Sequence, residues 1–443
     1  MHYHFISIGG AVMHNLALDL LAQGHTVTGS DDEIFDPALT RLKEKGLLPE
    51  TFGWFPEKIT PQVDAVILGM HARTDNPELQ KAKELGLPIY SFPEFIYEHS
   101  KNKTRVVIGG SHGKTTTTAM IMHVLHTLGK QFDYLVGSAI DGFERMVRMS
   151  DSPIVILEGD EYLTSPIDPR PKFLVYHANI AQLTGIAWDH INVFPTFEGY
   201  VHQFELFINQ LPDGAPLAYY AADEHLQTLV APHANRLQLL PYEALPHTLE
   251  NGQTFLTTPN GNLPLQVFGL HNLQNMAGAK HLCNQLGISD DDFYAAISTF
   301  GGTARRLEKI KDTGSLVVFR DFAHSPSKVK ATVNAVKQQY PTHKVVACFE
   351  LHTFSSLNKS FLSQYHQTLT QADDAIVFFN EHVLELKKMP PLDIETVAEA
   401  FGGSVIVYTE SKMLHRYLHS VIQNNTVLLL MSSGNFDNLP LDF

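Results

Sequence analysis

One stretch limits the possible folds more than any other. A β-like run at 105–108 leads straight into Gly109-Gly110-Ser111-His112-Gly113-Lys114-Thr115-Thr116. Ala119, Met120, Val124 and Leu128 then recur at helical spacing as far as Gly129. Strand, glycine turn and helix in that order point to a parallel α/β unit. Glycines let backbone N–H groups converge on one point, and the start of the helix adds partial positive charge there. Phosphate binding uses such a point: Lys114 can reach β/γ-phosphates, and the Thr115 hydroxyl can ligate Mg²⁺. The strict pattern G-x-x-x-x-G-K-[ST] is not met, because Ile108 stands where its first glycine belongs. What remains is Gly110-x-x-Gly113-Lys114-Thr115. An ordinary glycine-rich turn is the bland alternative, and the flanking strand and amphipathic helix weigh against it.

Short β-like runs alternate with helical patterns along the whole chain. Its 443 residues suggest about three domains at roughly 150 residues each. In 1–102, a strand at 3–8 precedes Gly9-Gly10 and a helix bearing Leu16, Leu18, Leu20 and Leu21, closed by Gly24. Strands at 25–29 and 65–68 follow, then a helix opened by Asn76-Pro77 and closed by Gly86. This reads as a small Rossmann-like domain, with 100–103 as a linker. Segment 103–299 reads as a central P-loop domain with further strands at 153–157 and 180–183. Segment 300–443 places strands at 316–319, 345–349, 375–378, 405–408 and 427–431, with a helix between successive strands. This is a second doubly wound sheet. The expected class is therefore α/β, in three domains.

Composition narrows the partners. With 32 Lys plus Arg against 47 Asp plus Glu, the net charge is −15. Nucleic acid and anionic membrane both favour a basic face, so neither is expected as the main partner. Small phosphorylated ligands need only a local pocket. No apolar run approaches the roughly 18 residues of a membrane span, and 2–8 lacks the basic start of a signal peptide. Cys283 and Cys348 cannot build a disulfide framework, so a reduced, cytoplasmic chain is expected. The 24 histidines are scattered, without the close pairing of a structural zinc site.

Other residues carry chemistry in context. Glu158 ends an apolar strand one βα unit after the glycine loop, where a carboxylate can hold the metal that bridges ATP phosphates. Asp160 and Glu161 are weaker candidates. Asp189-His190 follows another strand, where a lone His is more often a satisfied surface or core residue. His271-Asn272 and Asn275 begin a helix, where Asn usually serves as an N-cap. Arg305-Arg306 could clamp a phosphoryl group or lie on a solvated loop. Asp321 sits like a ribose-binding acid at a strand's carboxyl end, and His324 continues that loop.

Six elements in order resemble the Mur ligase family, the ATP-dependent amide-bond-forming enzymes of peptidoglycan assembly, over essentially the whole chain. They are residues 110–116, Glu158-Gly159-Asp160-Glu161, Asp189-His190, His271-Asn272-Leu273-Gln274-Asn275, Arg306-Leu307-Glu308 and Asp321-Phe322-Ala323-His324. His112 before Gly113-Lys114, and Ile8-Gly9-Gly10 followed by Gly29-Ser30-Asp31, are similar to the UDP-N-acetylmuramate branch. Segments 160–162, 305–308, 321–324 and 430–436 are most similar to that branch's murein tripeptide ligases, which add L-alanyl-γ-D-glutamyl-meso-diaminopimelate. Segment 349–356 is similar to its L-alanine ligases, with Thr353 where their arginine stands.

The resemblance implies a role for each position. Gly110, Ser111, His112, Gly113, Lys114, Thr115 and Thr116 bind ATP; Thr115, Glu158 and His190 hold Mg²⁺. Asn272 meets adenine, Arg306 the γ-phosphate and Asp321 the ribose, while Gly9 and Gly10 lie under the UDP moiety. Lys114, His190 and Arg306 are the implied catalytic residues. Segments 1–102, 103–299 and 300–443 would bind UDP-sugar, ATP and the amino substrate, in a monomer or weak homodimer. Three departures stand out. Val12, His14 and Asn15 replace further glycines of the first loop, where side chains would crowd a diphosphate. Gly185 replaces an asparagine before Asp189-His190. The lysine that several relatives carbamylate has no counterpart. A folate- or cyanophycin-type ligase and a non-catalytic nucleotide-binding regulator remain open as alternatives.

Overall fold

The computed structural model describes the chain apart from residues 71, 166, 190–192, 251, 423 and 442. It divides into two compact units. One holds Met1–Ile186, Glu198–Glu243 and Gly278–Ala296; the other holds Ala187–Phe197, Ala244–Ala277 and Ile297–Phe443.

The first unit contains two sheets. The smaller is parallel, built from β1 (His2–Ile6), β2 (Thr26–Ser30), β3 (Ala65–Leu68) and β4 (Ile89–Ser91) in the order β2-β1-β3-β4. Helices α1 (Ala11–Ala22), α2 (Ala38–Glu44), α3 (Pro77–Glu84) and α4 (Phe92–Ser100) alternate with the strands. The side chain of Asn76 caps α3, accepting from Glu78 and Leu79 N–H with Pro77 at the first helical position, as the sequence suggested. Residues 100–103, expected as a linker, form a pinned turn. Lys103 N–H donates to Ser100 O at 2.9 Å, and the Arg105 guanidinium donates to the Ser100 and Lys101 carbonyls at 2.8 Å each.

The larger sheet has seven strands: β5 (Thr104–Gly109), β6 (Asp133–Leu135), β7 (Val147–Arg148), β8 (Ile154–Glu158), β11 (Ile180–Leu183), β12 (Pro216–Tyr220) and β13 (Gln238–Tyr242). The hairpin β9 (Leu163–Ser165) and β10 (Asp168–Pro171) lies between β8 and β11 in sequence. The spatial order is β13-β12-β11-β5-β8-β6-β7, parallel except for the β6–β7 pair. Helix α5 (Lys114–Thr127) follows β5, α6 (Lys172–Val175) precedes β11, and α7 (Phe197–Gln210) and α8 (Glu224–Val230) follow later.

The second unit holds an antiparallel meander, β14 (His247–Glu250), β15 (Gln253–Thr258) and β16 (Gly261–Pro264), and a six-stranded sheet. Helices α9 (Leu270–Gln285) and α10 (Asp290–Ile297) lie between these sheets in sequence. The six strands are β17 (Glu308–Asp312), β18 (Leu316–Asp321), β19 (Lys344–Glu350), β20 (Asp374–Phe378), β21 (Ile406–Tyr408) and β22 (Thr426–Met431), ordered β17-β18-β22-β19-β20-β21. Only β17 runs antiparallel to its neighbour. Alternation along the strands shows that both faces are covered. Val427, Leu429 and Met431 join one apolar cluster, while Leu428 and Leu430 join another. A strand buried on both sides must be apolar throughout, which accounts for the unbroken run 427–431.

Helices α11 (Pro326–Gln339), α12 (Glu381–Leu386), α13 (Ile394–Ala400) and α14 (Ser411–Val421) connect the strands. The helix expected between β19 and β20 does not form: only a 3₁₀ turn, Leu362–Tyr365, stands there. Thr353 and Ser356 hydrogen-bond each other's backbone N–H groups through their hydroxyls, at 2.9 and 3.0 Å. Such local bonds compete with a helix.

Candidate active site

In the seven-stranded sheet, β8 and β6 lie on one side of β5, and β11 and β12 lie on the other. Loops leaving the carboxyl ends of parallel strands diverge where the chain order reverses, and a crevice opens between them. The glycine loop sits there. Gly110 has φ +126°, and a Cβ on it would lie 2.1 Å from Thr184 Oγ1, so only glycine fits. Gly113, at φ +82°, forms the N-cap of α5. Ser111 N–H donates to Gly185 O at 2.9 Å, and the Thr184 hydroxyl donates to His112 O. These bonds fasten the loop to the segment after β11.

Lys114 opens α5 and is buried. Its Nζ donates to Gly110 O at 2.6 Å and to Glu161 Oε2 at 2.7 Å. Burial alone would depress the ammonium's pKa. The Glu161, Asp160 and Glu158 carboxylates outweigh it, so the pKa stands above the ordinary lysine value. Glu161 is wholly buried; its Oε1 accepts from Tyr200 Oη at 3.0 Å, and Tyr200 Oη lies 2.7 Å from Ser111 Oγ. The glycine loop, its lysine and Glu161 therefore form one closed polar network.

Thr115 Oγ1 donates to Glu158 Oε1 at 2.7 Å, and Gly137 N–H donates to Glu158 Oε2 at 2.7 Å. Burial and then the Asp160 charge raise the Glu158 pKa, against the pull of those two donors and Lys114. Asp160 accepts from Lys172 Nζ at 2.9 Å; despite burial, Lys172 and Lys114 hold its pKa below the usual carboxylate value. Thr115 and Glu158 thus bring two buried oxygens together beside a helix N-terminus. Hard oxygen donors, few in number, suit Mg²⁺, which keeps several of its waters. Among the described residues no group of three His, Cys, Asp or Glu could hold a metal by itself. His190 lies outside the described residues.

The same unit contains a cavity of about 880 Å³ lined by Gly9, Gly10, His14, Asp31, Arg41 and Arg145, among others. Gly10 is the N-cap of α1. Gly9 N–H donates to Asp31 Oδ2 at 2.7 Å, and burial, chiefly, raises the Asp31 pKa to about 6.

The second unit carries the remaining candidates. Asn272 is not an N-cap: it lies inside the first turn of α9, and its Nδ2 donates to Phe268 O at 2.8 Å. Asp321 ends β18 as expected, but its carboxylate turns inward, accepting from Leu307 N–H at 2.7 Å and Ala323 N–H at 2.8 Å. It thereby fixes the loop of Arg306, whose guanidinium lies over the Phe322 ring at 5.1 Å. Asp189 is buried, 3.6 Å from Lys328 Nζ and 3.9 Å from His324 Nε2. Burial and then Lys328 push the His324 pKa down to about 3, so that ring is neutral.

Three family models match in order. They are the Mur ligase family catalytic domain over residues 2–104, the Mur ligase middle domain over 108–283 and the Mur ligase glutamate ligase domain over 305–434. The chain is also 30% identical to a UDP-N-acetylmuramate–L-alanine ligase of Lacticaseibacillus paracasei, across 98% of this chain and 95% of that one.

The chain belongs to the Mur ligase family. It is an ATP-dependent, amide-bond-forming ligase of peptidoglycan synthesis. The fold agrees with two solved structures. A UDP-N-acetylmuramate–alanine ligase from Thermotoga maritima matches with TM-score 0.71 and 22% identity, over 99% of this chain and 97% of that one. A murein peptide ligase from Psychrobacter arcticus matches with TM-score 0.68 and 24% identity, over 99% and 97%. Among the described residues no helix of this Mur ligase is long and apolar enough to cross a membrane.

Sequence reasoning underrated Glu161 and passed over Tyr200. Tyr200 shares an apolar helical stripe with Phe204, Phe207 and Ile208, so its hydroxyl is hidden in a core-like pattern. A third acid, three residues after Glu158, was the one signal for Glu161.

Proposed function

We propose that this Mur ligase joins the lactyl carboxylate of UDP-N-acetylmuramate to the amine of a short peptide, L-alanyl-γ-D-glutamyl-meso-diaminopimelate, through an acyl phosphate. The observation that carries the reading is the buried assembly of Lys114, Thr115, Glu158 and Glu161 at the reversal point of the sheet. In this reading residues 110–116 cradle the ATP phosphates, and the Lys114 ammonium offsets charge developing on the γ-phosphate. Mg²⁺ held by Thr115 and Glu158, with His190 added on its sequence position alone, would neutralise phosphate charge. The muramyl carboxylate attacks the γ-phosphate, ADP leaves, and the acceptor amine then displaces phosphate from the acyl phosphate.

Asn272, with its Oδ1 and one N–H uncommitted among the described residues, is assigned to adenine. Arg306, free of any carboxylate partner there, is assigned to the γ-phosphate. Asp321, expected at the ribose, is assigned first to holding the Arg306 loop, because its oxygens already accept from that loop's backbone. The cavity beside Gly9 and Gly10 is assigned to the uridine nucleotide end of the substrate. Segments 1–102, 103–299 and 300–443 are assigned to UDP-sugar, ATP and amino substrate in turn.

The peptide acceptor rests on the likeness of segments 160–162, 305–308, 321–324 and 430–436 to tripeptide ligases. Thr353, in place of the alanine enzymes' arginine, also favours it. The second reading is L-alanine as acceptor, supported by the names of the relatives and by segment 349–356. The test is phosphate release from ATP with UDP-N-acetylmuramate and each acceptor side by side. Release must require both substrates and vanish in Lys114→Ala. Release indifferent to every muramyl acceptor refutes the proposal, and a product with L-alanine alone selects the second reading.

A further inference from the structure

The cavity beside Gly9 and Gly10 contains three arginines, and they are not equivalent. Arg145 pairs with Asp19 at 3.1 Å and Glu144 at 3.6 Å, and Arg73 pairs with Asp75 at 3.2 Å. Arg41, on α2, has no carboxylate at salt-bridge distance among the described residues. Neutral acceptors fix its guanidinium instead. Nη1 donates to Asn15 Oδ1 at 2.9 Å and faces His14 Nε2 at 3.4 Å, and Nη2 donates to the Glu144 backbone carbonyl at 2.9 Å. Among the described residues the Nε–H and one Nη2–H have no acceptor. Arg41 is therefore a held, half-buried guanidinium with its full charge and two donors to spare.

Its mount consists of His14 and Asn15, two of the three side chains that stand where glycines were expected. His14 Nδ1 bonds Gly10 O at 2.9 Å, which assigns the proton to Nδ1 and leaves Nε2 as an acceptor. Asn15 Nδ2 donates to Ala11 O at 2.8 Å and to His14 Nε2 at 3.0 Å. Asn15 Oδ1 accepts from Met146 N–H at 3.0 Å as well as from Arg41. Every polar atom of the Asn15 amide is satisfied, so the geometry is specified rather than incidental. The loop amides, in contrast, are already engaged: Gly9 N–H by Asp31 at 2.7 Å and Gly10 N–H by Ser7 O at 3.4 Å. Asp31, Asp32, Glu33 and Asp36 also line the cavity, so an anionic ligand entering it needs a cation.

We infer that Arg41 is the specificity-determining cation of this cavity, taking phosphate oxygens of a nucleoside diphosphate in place of the engaged loop amides. Guanidinium forks suit phosphate oxygens better than a point charge does. The inference rests on the assignment of the cavity to the uridine nucleotide, and UDP and uridine serve as probes that separate the two.

Calorimetric titration of the full chain gives the test. Arg41→Ala is expected to weaken UDP binding about tenfold or more, with uridine binding unchanged and partial recovery in Arg41→Lys. The KM for UDP-N-acetylmuramate should rise by the same factor while the ATP KM and kcat stay put. Equal UDP affinity in wild type and Arg41→Ala overturns the inference and leaves the cavity assignment standing; the N–H groups opening α1 would then suffice. Absence of UDP binding to the wild type overturns both. If Arg41→Ala fails to fold, Arg41→Gln and Arg41→Lys carry the comparison, and unchanged UDP affinity in both overturns the inference equally.

Discussion

Lys114 and Glu161 meet at 2.7 Å with both side chains buried, so each depends on the other. Removing one charge of such a pair leaves the other buried and uncompensated, at about 3 kcal/mol or more. Glu161→Gln is accordingly expected to lower urea-unfolding stability by about that amount, and Lys114→Met added to it should recover most of the loss. A double variant whose losses simply add would show that the pair is not coupled. The sign with pH follows from the raised Lys114 pKa. The pair's stability is complete below the ordinary lysine value and is lost as pH rises through the higher folded value. Asp31 shows the opposite ionic logic. Its folded pKa of about 6 lies above its ordinary 3.8, so the folded state holds the proton more tightly. Its contribution is fully present below 3.8 and is lost as pH rises to about 6. Between pH 7 and pH 4, wild type should therefore gain on Asp31→Asn by about 2–3 kcal/mol in chemical unfolding. A difference that stays flat with pH would refute this.

Among the elements, the glycine loop makes the sharpest demand on backbone. At Gly110 a methyl group would overlap Thr184 Oγ1 at 2.1 Å and the Thr184 backbone N at 2.7 Å, on top of an unfavourable φ of +126°. Gly110→Ala should cost about 2–3 kcal/mol and abolish nucleotide binding, whereas Gly129→Ala, with nothing within 4 Å of the added methyl group, pays only the left-handed backbone cost of about 1 kcal/mol. Thermal unfolding with and without ADP measures both; similar losses in the two variants would contradict the steric reading. This loop was legible because strand, turn and helix lie together in sequence. Ala65–Leu68 was legible because a parallel strand buried on both faces leaves an unbroken apolar run; in Ile180–Leu183 the buried Gln182 interrupts that run. The meander was not legible: His247–Glu250 is exposed at every residue, and its one large apolar side chain, Leu249, makes no alternating pattern. Within the site, Thr115 and Glu158 lie at positions their own elements dictate. Tyr200 reaches Glu161 across 39 residues, and Arg41 reaches Asn15 across 26. Packing alone brings such pairs together, and no local spacing announces them.

At the scale of the whole molecule, each unit has a core of its own. In the second, Leu429 is fully buried on β22 with Val317, Phe349 and Val377 in its cluster. In the first, Ile6, Val66 and Leu68 pack with Leu79 beneath the small sheet. Leu429→Ala leaves a cavity worth about 3 kcal/mol, and that loss belongs to the second unit. The cavity assigned to the uridine nucleotide lies wholly in the first. UDP at about 100 times its dissociation constant stabilises whatever it binds by about 2.7 kcal/mol. Scanning calorimetry of Leu429→Ala is therefore expected to show an early transition that UDP does not move and a later one that it raises. Activity should fall only at temperatures where the early transition has begun. A single transition that shifts as one under both the substitution and UDP would mean that the two cores melt together, and a substitution in either core would then lower the stability of both.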